Sequence, residues 1–108
     1  MGRSPSHHAV LILASLADEE RHGYAIKKDV ERRTSGDVRL GSTSLYRLLG
    51  QLLDDGLIAE CAPTASGPDP RRRNYRVTAS GRRALAAELA RLERVLLAAR
   101  TAPGKRTS

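Results

Sequence analysis

The sequence predicts a mainly α-helical domain that carries a small β-hairpin and continues into a long C-terminal helix. Three observations lead there. Leu45, Leu48, Leu49, Leu52 and Leu53 follow the spacing of one helical face, and Leu85, Leu89, Leu92, Leu96 and Ala99 recur by alternating fours and threes. Between these segments, two short stretches suited to strands flank a turn rich in proline and arginine.

Taken in order, His8 to Leu16 is apolar on nearly every side, as expected of a short helix buried by the rest of the domain. Asp18 to Arg21 breaks that pattern. A second helix is expected from Gly23 to Thr34, with Ile26 and Val30 on one face and Lys27, Lys28, Glu31 and Arg32 toward water; Ser35, Gly36 and Asp37 punctuate its end. The leucine face marks the third helix. Ser42 or Thr43 is placed to cap its start, and Gly56 to adopt the left-handed conformation that closes it.

Leu57 to Cys61 and Asn74 to Thr78 then read as strands, the second alternating Tyr75 and Val77 against Asn74 and Arg76. The connection from Ala62 to Arg73 contains Pro63, Gly67, Pro68 and Pro70, which exclude a helix and suit the long turn of a hairpin. The final helix is expected from Thr78 to Arg100. Thr101 to Ser108 reads as a disordered tail.

Three compact helices followed by a hairpin give a winged helix-turn-helix arrangement, whose third helix is shaped to enter a DNA major groove. The organisation expected is a winged domain over 1–78, a C-terminal dimerisation helix over 79–100 and the tail over 101–108.

Composition narrows the function classes. The chain has 108 residues, room for one domain, and 19 Lys and Arg against 12 Asp and Glu leave a formal charge of +7, which favours a polyanionic partner. The longest apolar run, Ala9 to Ala17, is about half of the twenty or so residues needed to cross a bilayer. With no signal-peptide pattern before it, a cytoplasmic location and no membrane contact are expected. Cys61 is the sole cysteine, so no internal disulfide forms, and it reads as a small strand residue. No nucleophile elbow, phosphate loop or paired metal ligands appear, and His22 beside Gly23 and Tyr24 suits local hydrogen bonding at a helix start. The chain is therefore expected to be no enzyme and to need no cofactor or metal.

Opposite the leucines, Thr43, Arg47, Gly50, Gln51 and Asp54 form the wet side of the third helix, with Tyr46 beside it. Arg47 has the geometry to bond guanine in bidentate fashion or to contact phosphate; Gln51 suits an adenine edge, and Gly50 permits close approach. Ser42, Thr43 and Ser44 bring hydroxyls and no carboxylate to the positive end of the helix, where a phosphate can bind. Tyr46 has a hydroxyl to donate to a phosphate. Arg71, Arg72 and Arg73 sit where the hairpin re-enters the sheet, positioned for backbone phosphates or a minor groove. Leu85, Leu89, Leu92 and Leu96 form the seam expected to pair with a second copy.

His22-Gly23-Tyr24, Leu45-Tyr46, Leu52 to Ile58, and Arg73-Asn74-Tyr75-Arg76-Val77-Thr78 with Gly81 resemble the PadR family of bacterial regulators over His8 to Leu89. The resemblance implies a homodimer made largely through the C-terminal helix, two winged domains presented to DNA, Tyr46 and its helix start near the duplex, and an arginine-rich wing on the backbone. Many relatives have proline after the tyrosine, where this chain has Arg47. Some relatives hold flat aromatic drugs at the dimer centre between side chains that include tryptophan, but Thr78 to Ser108 contains no aromatic residue. An inducer, if one exists, is of unknown identity.

The function expected is a sequence-specific repressor on a two-fold symmetric operator. The alternatives are an RNA-binding basic protein and a winged-helix module for protein contacts, since charge does not distinguish nucleic acids and fold does not fix function.

Overall fold

The computed structural model describes residues 6–61 and 73–101. Its elements run α1 (His7–Asp18), β1 (Arg21–His22), α2 (Gly23–Arg33), α3 (Ser42–Asp54), β2 (Ile58–Glu60), β3 (Asn74–Val77) and α4 (Ala79–Thr101). This is a winged helix-turn-helix arrangement with a longer helix behind it. The disordered tail expected over 101–108 lies, beyond Thr101, outside the described residues.

The helices form where their apolar periods require. α1 starts at Ser6, whose Oγ accepts from the Ala9 N–H at 3.2 Å, and it buries Ala9, Val10, Ile12, Leu13 and Leu16. α2 starts at His22, whose Nδ1 accepts from the Ala25 N–H at 3.2 Å, the local bonding expected of that residue. At the other end of α2, Thr34 Oγ1 donates to the Val30 carbonyl at 2.9 Å and accepts from the Val38 N–H at 3.0 Å. Ser35 and Gly36 both take positive φ, so the chain reverses there. α3 presents Leu45, Leu48, Leu49 and Leu52 to the core. Ile12, Leu13, Ile26 and Val30 meet these leucines, and Ile58, Tyr75 and Val77 of the sheet close the same core.

The sheet is antiparallel with strand order β1-β3-β2. The expected hairpin is present as β2 and β3, in the register Ile58 to Val77, Ala59 to Arg76 and Glu60 to Tyr75. β1 adds a third strand that the sequence did not suggest, pairing Arg21 with Tyr75 and His22 with Asn74. Two residues are too few to carry an alternating pattern, and the pairing is made by backbone groups alone.

Two polar junctions hold these layers. The first surrounds Asp29, which is 3% exposed. Its carboxylate pairs with Arg33 Nε at 2.5 Å, with Arg32, and with Arg21 Nη2 at 3.7 Å. Arg21 Nε also donates to the Ser15 carbonyl at 3.1 Å, and Arg33 reaches Asp18, so α1, β1 and α2 share one network. The buried Ser15 hydroxyl lies against Asp29 without a hydrogen bond of ordinary geometry. Burial pushes the Asp29 carboxyl up; the Arg33 hydrogen bond, Ser15, and the charges of Arg21 and Arg33 outweigh it and hold the group below its usual value.

The second junction joins α3, β2 and α4. Gly56 has φ +74°, and α3 closes with the Leu57 N–H on the Leu52 carbonyl at 3.0 Å. Thr78 donates its backbone N–H to the Leu57 carbonyl at 3.0 Å and its hydroxyl to the Gly56 carbonyl at 2.7 Å. The same hydroxyl accepts from the Gly81 N–H at 3.0 Å at the start of α4. α4 lies so close here that a Cβ on Gly81 would stand 2.0 Å from the Leu57 carbonyl oxygen and 2.7 Å from Val77 Cγ2.

Gly81→Ala is therefore expected to lower unfolding free energy by about 1 to 3 kcal/mol, overpacking outweighing the helix propensity gained, whereas Gly50→Ala, with nothing within 4 Å of its new methyl, should raise it by about 1 kcal/mol. Urea denaturation of the pair checks the contrast. Asp29 predicts an acid limb. Because its folded-state pKa is depressed, its stabilisation is complete above the unfolded-state value of about 3.9 and is lost as the pH falls through the lower folded value. In melts at stepped pH, Asp29→Asn should flatten that limb.

Candidate nucleic-acid interface

The exposed side of α3 carries the expected constellation. Thr43, Arg47, Gln51 and Asp54 are exposed, and Gly50 lies among them with open space beside it. The helix start differs in one respect from expectation. Gly41, not Ser42 or Thr43, is the N-cap, and no side chain caps it, because both hydroxyl residues already lie within the helix. The first turn contains no acidic residue, so its backbone N–H groups keep their partial positive charge. Ser42 and Thr43 are exposed there, and Ser44 is half-buried.

Tyr46 is also half-buried. Its ring lies over the first residue of α2: a Cβ on Gly23 would meet Tyr46 Oη at 2.5 Å and its ring carbons at 3.0 Å. The absent side chain at position 23 thus seats the tyrosine between α2 and α3, which sets the separation of the two helices of the helix-turn-helix.

Beside α3 is a recess of 420 Å³, lined from the start of α1 by Ser6 and His8, from the α2–α3 connection by Arg39, Leu40 and Gly41, and from α3 by Ser44, Arg47, Leu48 and Gln51. Arg39 and His8 were not among the residues expected from the sequence to contact DNA. The signal for Arg39 was available: Val38 packs on the core and Leu40 is 3% exposed, so the residue between them must face out.

Across the hairpin the arginines divide. Arg73 Nη1 lies 3.0 Å from Glu60 Oε2, so this side chain is ion-paired across the base of the wing. Arg76 is exposed on β3, between the buried Tyr75 and Val77. Arg71 and Arg72, expected at the wing, lie outside the described residues. Tyr75, the one aromatic residue of the three strands, is 3% exposed, so the sheet presents no stacking platform for unpaired bases.

Among the described residues, nothing in the site resembles catalytic machinery. Cys61 follows β2, and burial, then the Glu20 hydrogen bond and charge, push its thiol up and away from the reactive thiolate. Among the described residues no three His, Cys, Asp or Glu side chains converge on a possible metal position.

On α4 the expected seam splits. Leu85 is 8% exposed and belongs to the core of its own domain, which corrects its assignment to the interface with a second copy; the close approach at Gly81 carries this first part of α4 onto the core. Farther along, Leu89, Leu92 and Leu96 are 44%, 42% and 51% exposed, with Val95 and Leu97 also exposed beside them.

Residues 12–87 match the transcriptional regulator PadR-like family. The match extends from the middle of α1 to the covered part of α4 and so includes the whole of α3 and the sheet. The chain belongs to this family. PadR-like proteins are transcription regulators, not enzymes, in keeping with the absence of catalytic motifs in the sequence. Among solved structures, a transcriptional regulator from Clostridium thermocellum is 24% identical over 85% of each chain, with a TM-score of 0.70. A PadR-like regulator from Bacillus cereus is 24% identical with a TM-score of 0.70, over 86% of this chain and 87% of that one. Bacillus subtilis PadR, solved in complex with operator DNA, is 25% identical with a TM-score of 0.67; the match takes in 78% of this PadR-like chain and 47% of the B. subtilis protein. None of the curated proteins matches the chain.

Proposed function

We propose that this PadR-like chain is a sequence-specific DNA-binding repressor that acts in the cytoplasm as a homodimer on a two-fold symmetric operator. The observation that carries the reading is the exposed face of α3, where Arg47 has no carboxylate partner among the described residues and stands one helical turn from Gln51. The operator complex of B. subtilis PadR supports duplex DNA as the partner.

In this reading α3 enters the major groove. Arg47 bonds guanine and Gln51 an adjacent adenine edge, while Gly50 lets the groove wall approach. The α3 start at Ser42, Thr43 and Ser44 and the Tyr46 hydroxyl hold backbone phosphates, as do Arg71 and Arg72 from the wing. Arg73, paired with Glu60, braces the wing stem. The helix beyond the winged domain supplies the dimer contact through Leu89, Leu92 and Leu96, whose exposure is of the kind a partner helix relieves. α4 has no aromatic residue and so offers a small-molecule effector no stacking partner. No described helix is long and apolar enough to cross a membrane.

Selection of duplexes from a random pool should return a two-fold symmetric consensus. Arg47→Ala should relax preference at one position per half-site, a loss of about 1 to 3 kcal/mol against the preferred base; an unchanged consensus would remove Arg47 from base reading. Separately, Leu92→Glu with Leu96→Glu should leave the thermal midpoint near that of an isolated protomer and abolish dimer sedimentation. Operator affinity should then collapse as linked half-sites become independent. A wild-type chain that sediments as a monomer at micromolar concentration would refute the dimer.

A further inference from the structure

Most of the described cations that precede α4 have a carboxylate partner within the protein. Lys27 and Lys28 pair with Glu31, Arg21, Arg32 and Arg33 with Asp29, and Arg73 with Glu60. Of the described Lys and Arg side chains that precede α4, Arg39, Arg47 and Arg76 alone have no carboxylate within ion-pair distance among the described residues. Arg76 belongs to the sheet. Arg39 and Arg47 line one and the same recess, between the start of α1 and α3.

The remainder of that lining is chemically one-sided. Ser6, His8, Ser44 and Gln51 contribute hydrogen-bonding groups, and no aspartate or glutamate lines the recess. A second depression, along α2, differs in that Asp29 and Glu31 stand among its cations Arg21, Lys28 and Arg32. Two cationic side chains without a carboxylate partner lining one concave site create a potential that an oxyanion relieves. Arg39 is held there by its neighbours, since Val38 and Leu40 point into the core on either side of it.

We infer that this recess seats a single DNA backbone phosphate, gripped by Arg39 with the Ser44 hydroxyl and the His8 imidazole beside it, immediately flanking the bases that α3 reads. The inference rests on duplex DNA being the partner. It assigns Arg39 a positioning contact that fixes the depth and register of α3, leaving Arg47 available to the base edges. A phosphate contact of this kind carries no sequence information of its own.

The test measures binding of the full chain to its selected operator and to an unrelated duplex, over a range of salt, with wild type, Arg39→Ala, Arg39→Gln and Arg39→Lys. Arg39→Ala and Arg39→Gln should weaken both duplexes by the same factor, about tenfold for one charge-assisted contact, and should lower the slope of log affinity against log salt by about 0.9 per protomer. The consensus sequence should stay the same. Arg39→Lys, which keeps the charge, should recover the slope, and thermal unfolding of all three variants should match wild type. A second arm replaces operator phosphates one at a time by methylphosphonate. One position in each half-site should weaken wild-type binding and have no further effect on Arg39→Ala. Sequence-selective wild-type binding with an unchanged salt slope in Arg39→Ala, or with additive losses at every methylphosphonate position, overturns the phosphate seat and leaves the DNA-binding reading standing. A wild-type chain that binds no duplex overturns both.

Discussion

The approach of α4 to the backbone at Leu57 is the constraint on which the rest of the structure depends. Within five residues, Thr78 bonds the carbonyls of Gly56 and Leu57, its hydroxyl caps the turn that begins α4, and Gly81 leaves no room for a methyl group. Gly56 ends α3, and Ala79 begins α4. The helix with the exposed arginine and glutamine is thereby locked in orientation to the helix with the exposed leucines. A side chain at position 81 would tilt one against the other, and the tilt would grow along the 23 residues of α4.

The charge distribution follows a similar economy of placement. A formal +7 indicates the sign of a partner and nothing about where it binds. Asp29, Glu31 and Glu60 pair in the folded state with most of the described cations that precede α4. Asp29 does so from within the protein, where its carboxylate also ties α1 and β1 to α2. Among the described residues, those left without such a partner before α4 lie beside α3 and on the outer face of the sheet, so the field they set up is directed although the composition is merely basic.

Much of this was legible in the sequence because periodicity reports burial directly. Five leucines at helical spacing located α3 and its exposed face, Gly56 marked its end, and Tyr75 and Val77 fixed the phase of β3. The features that escaped depend on where the chain goes after its local structure forms. β1 acquires its partner from a strand more than fifty residues away and has no period of its own. The capping role expected of Ser42 or Thr43 passed to Gly41, since hydroxyl residues at three successive positions do not specify which one is the cap. Leu85 and Leu89 look alike in a heptad, yet the turn at Gly81 buries the first and leaves the second exposed. Arg73 resembles its neighbours Arg71 and Arg72 until Glu60 is brought across the hairpin. Arg39, marked as outward-facing by Val38 and Leu40 on either side, was not placed beside α3 until the recess brought the two together.

The sheet has a consequence for how copies of this chain can assemble. Its central strand is β3, hydrogen-bonded on both sides, while its margins are β1 with two residues and β2 with three. Margins that short expose few unpaired amide and carbonyl groups and give an incoming strand little to register against. Growth by strand addition, which has no natural stopping point, is therefore disfavoured at both borders. The proposed contact between copies, made by side chains on a helix, instead closes on itself when two copies meet about a two-fold axis and then stops.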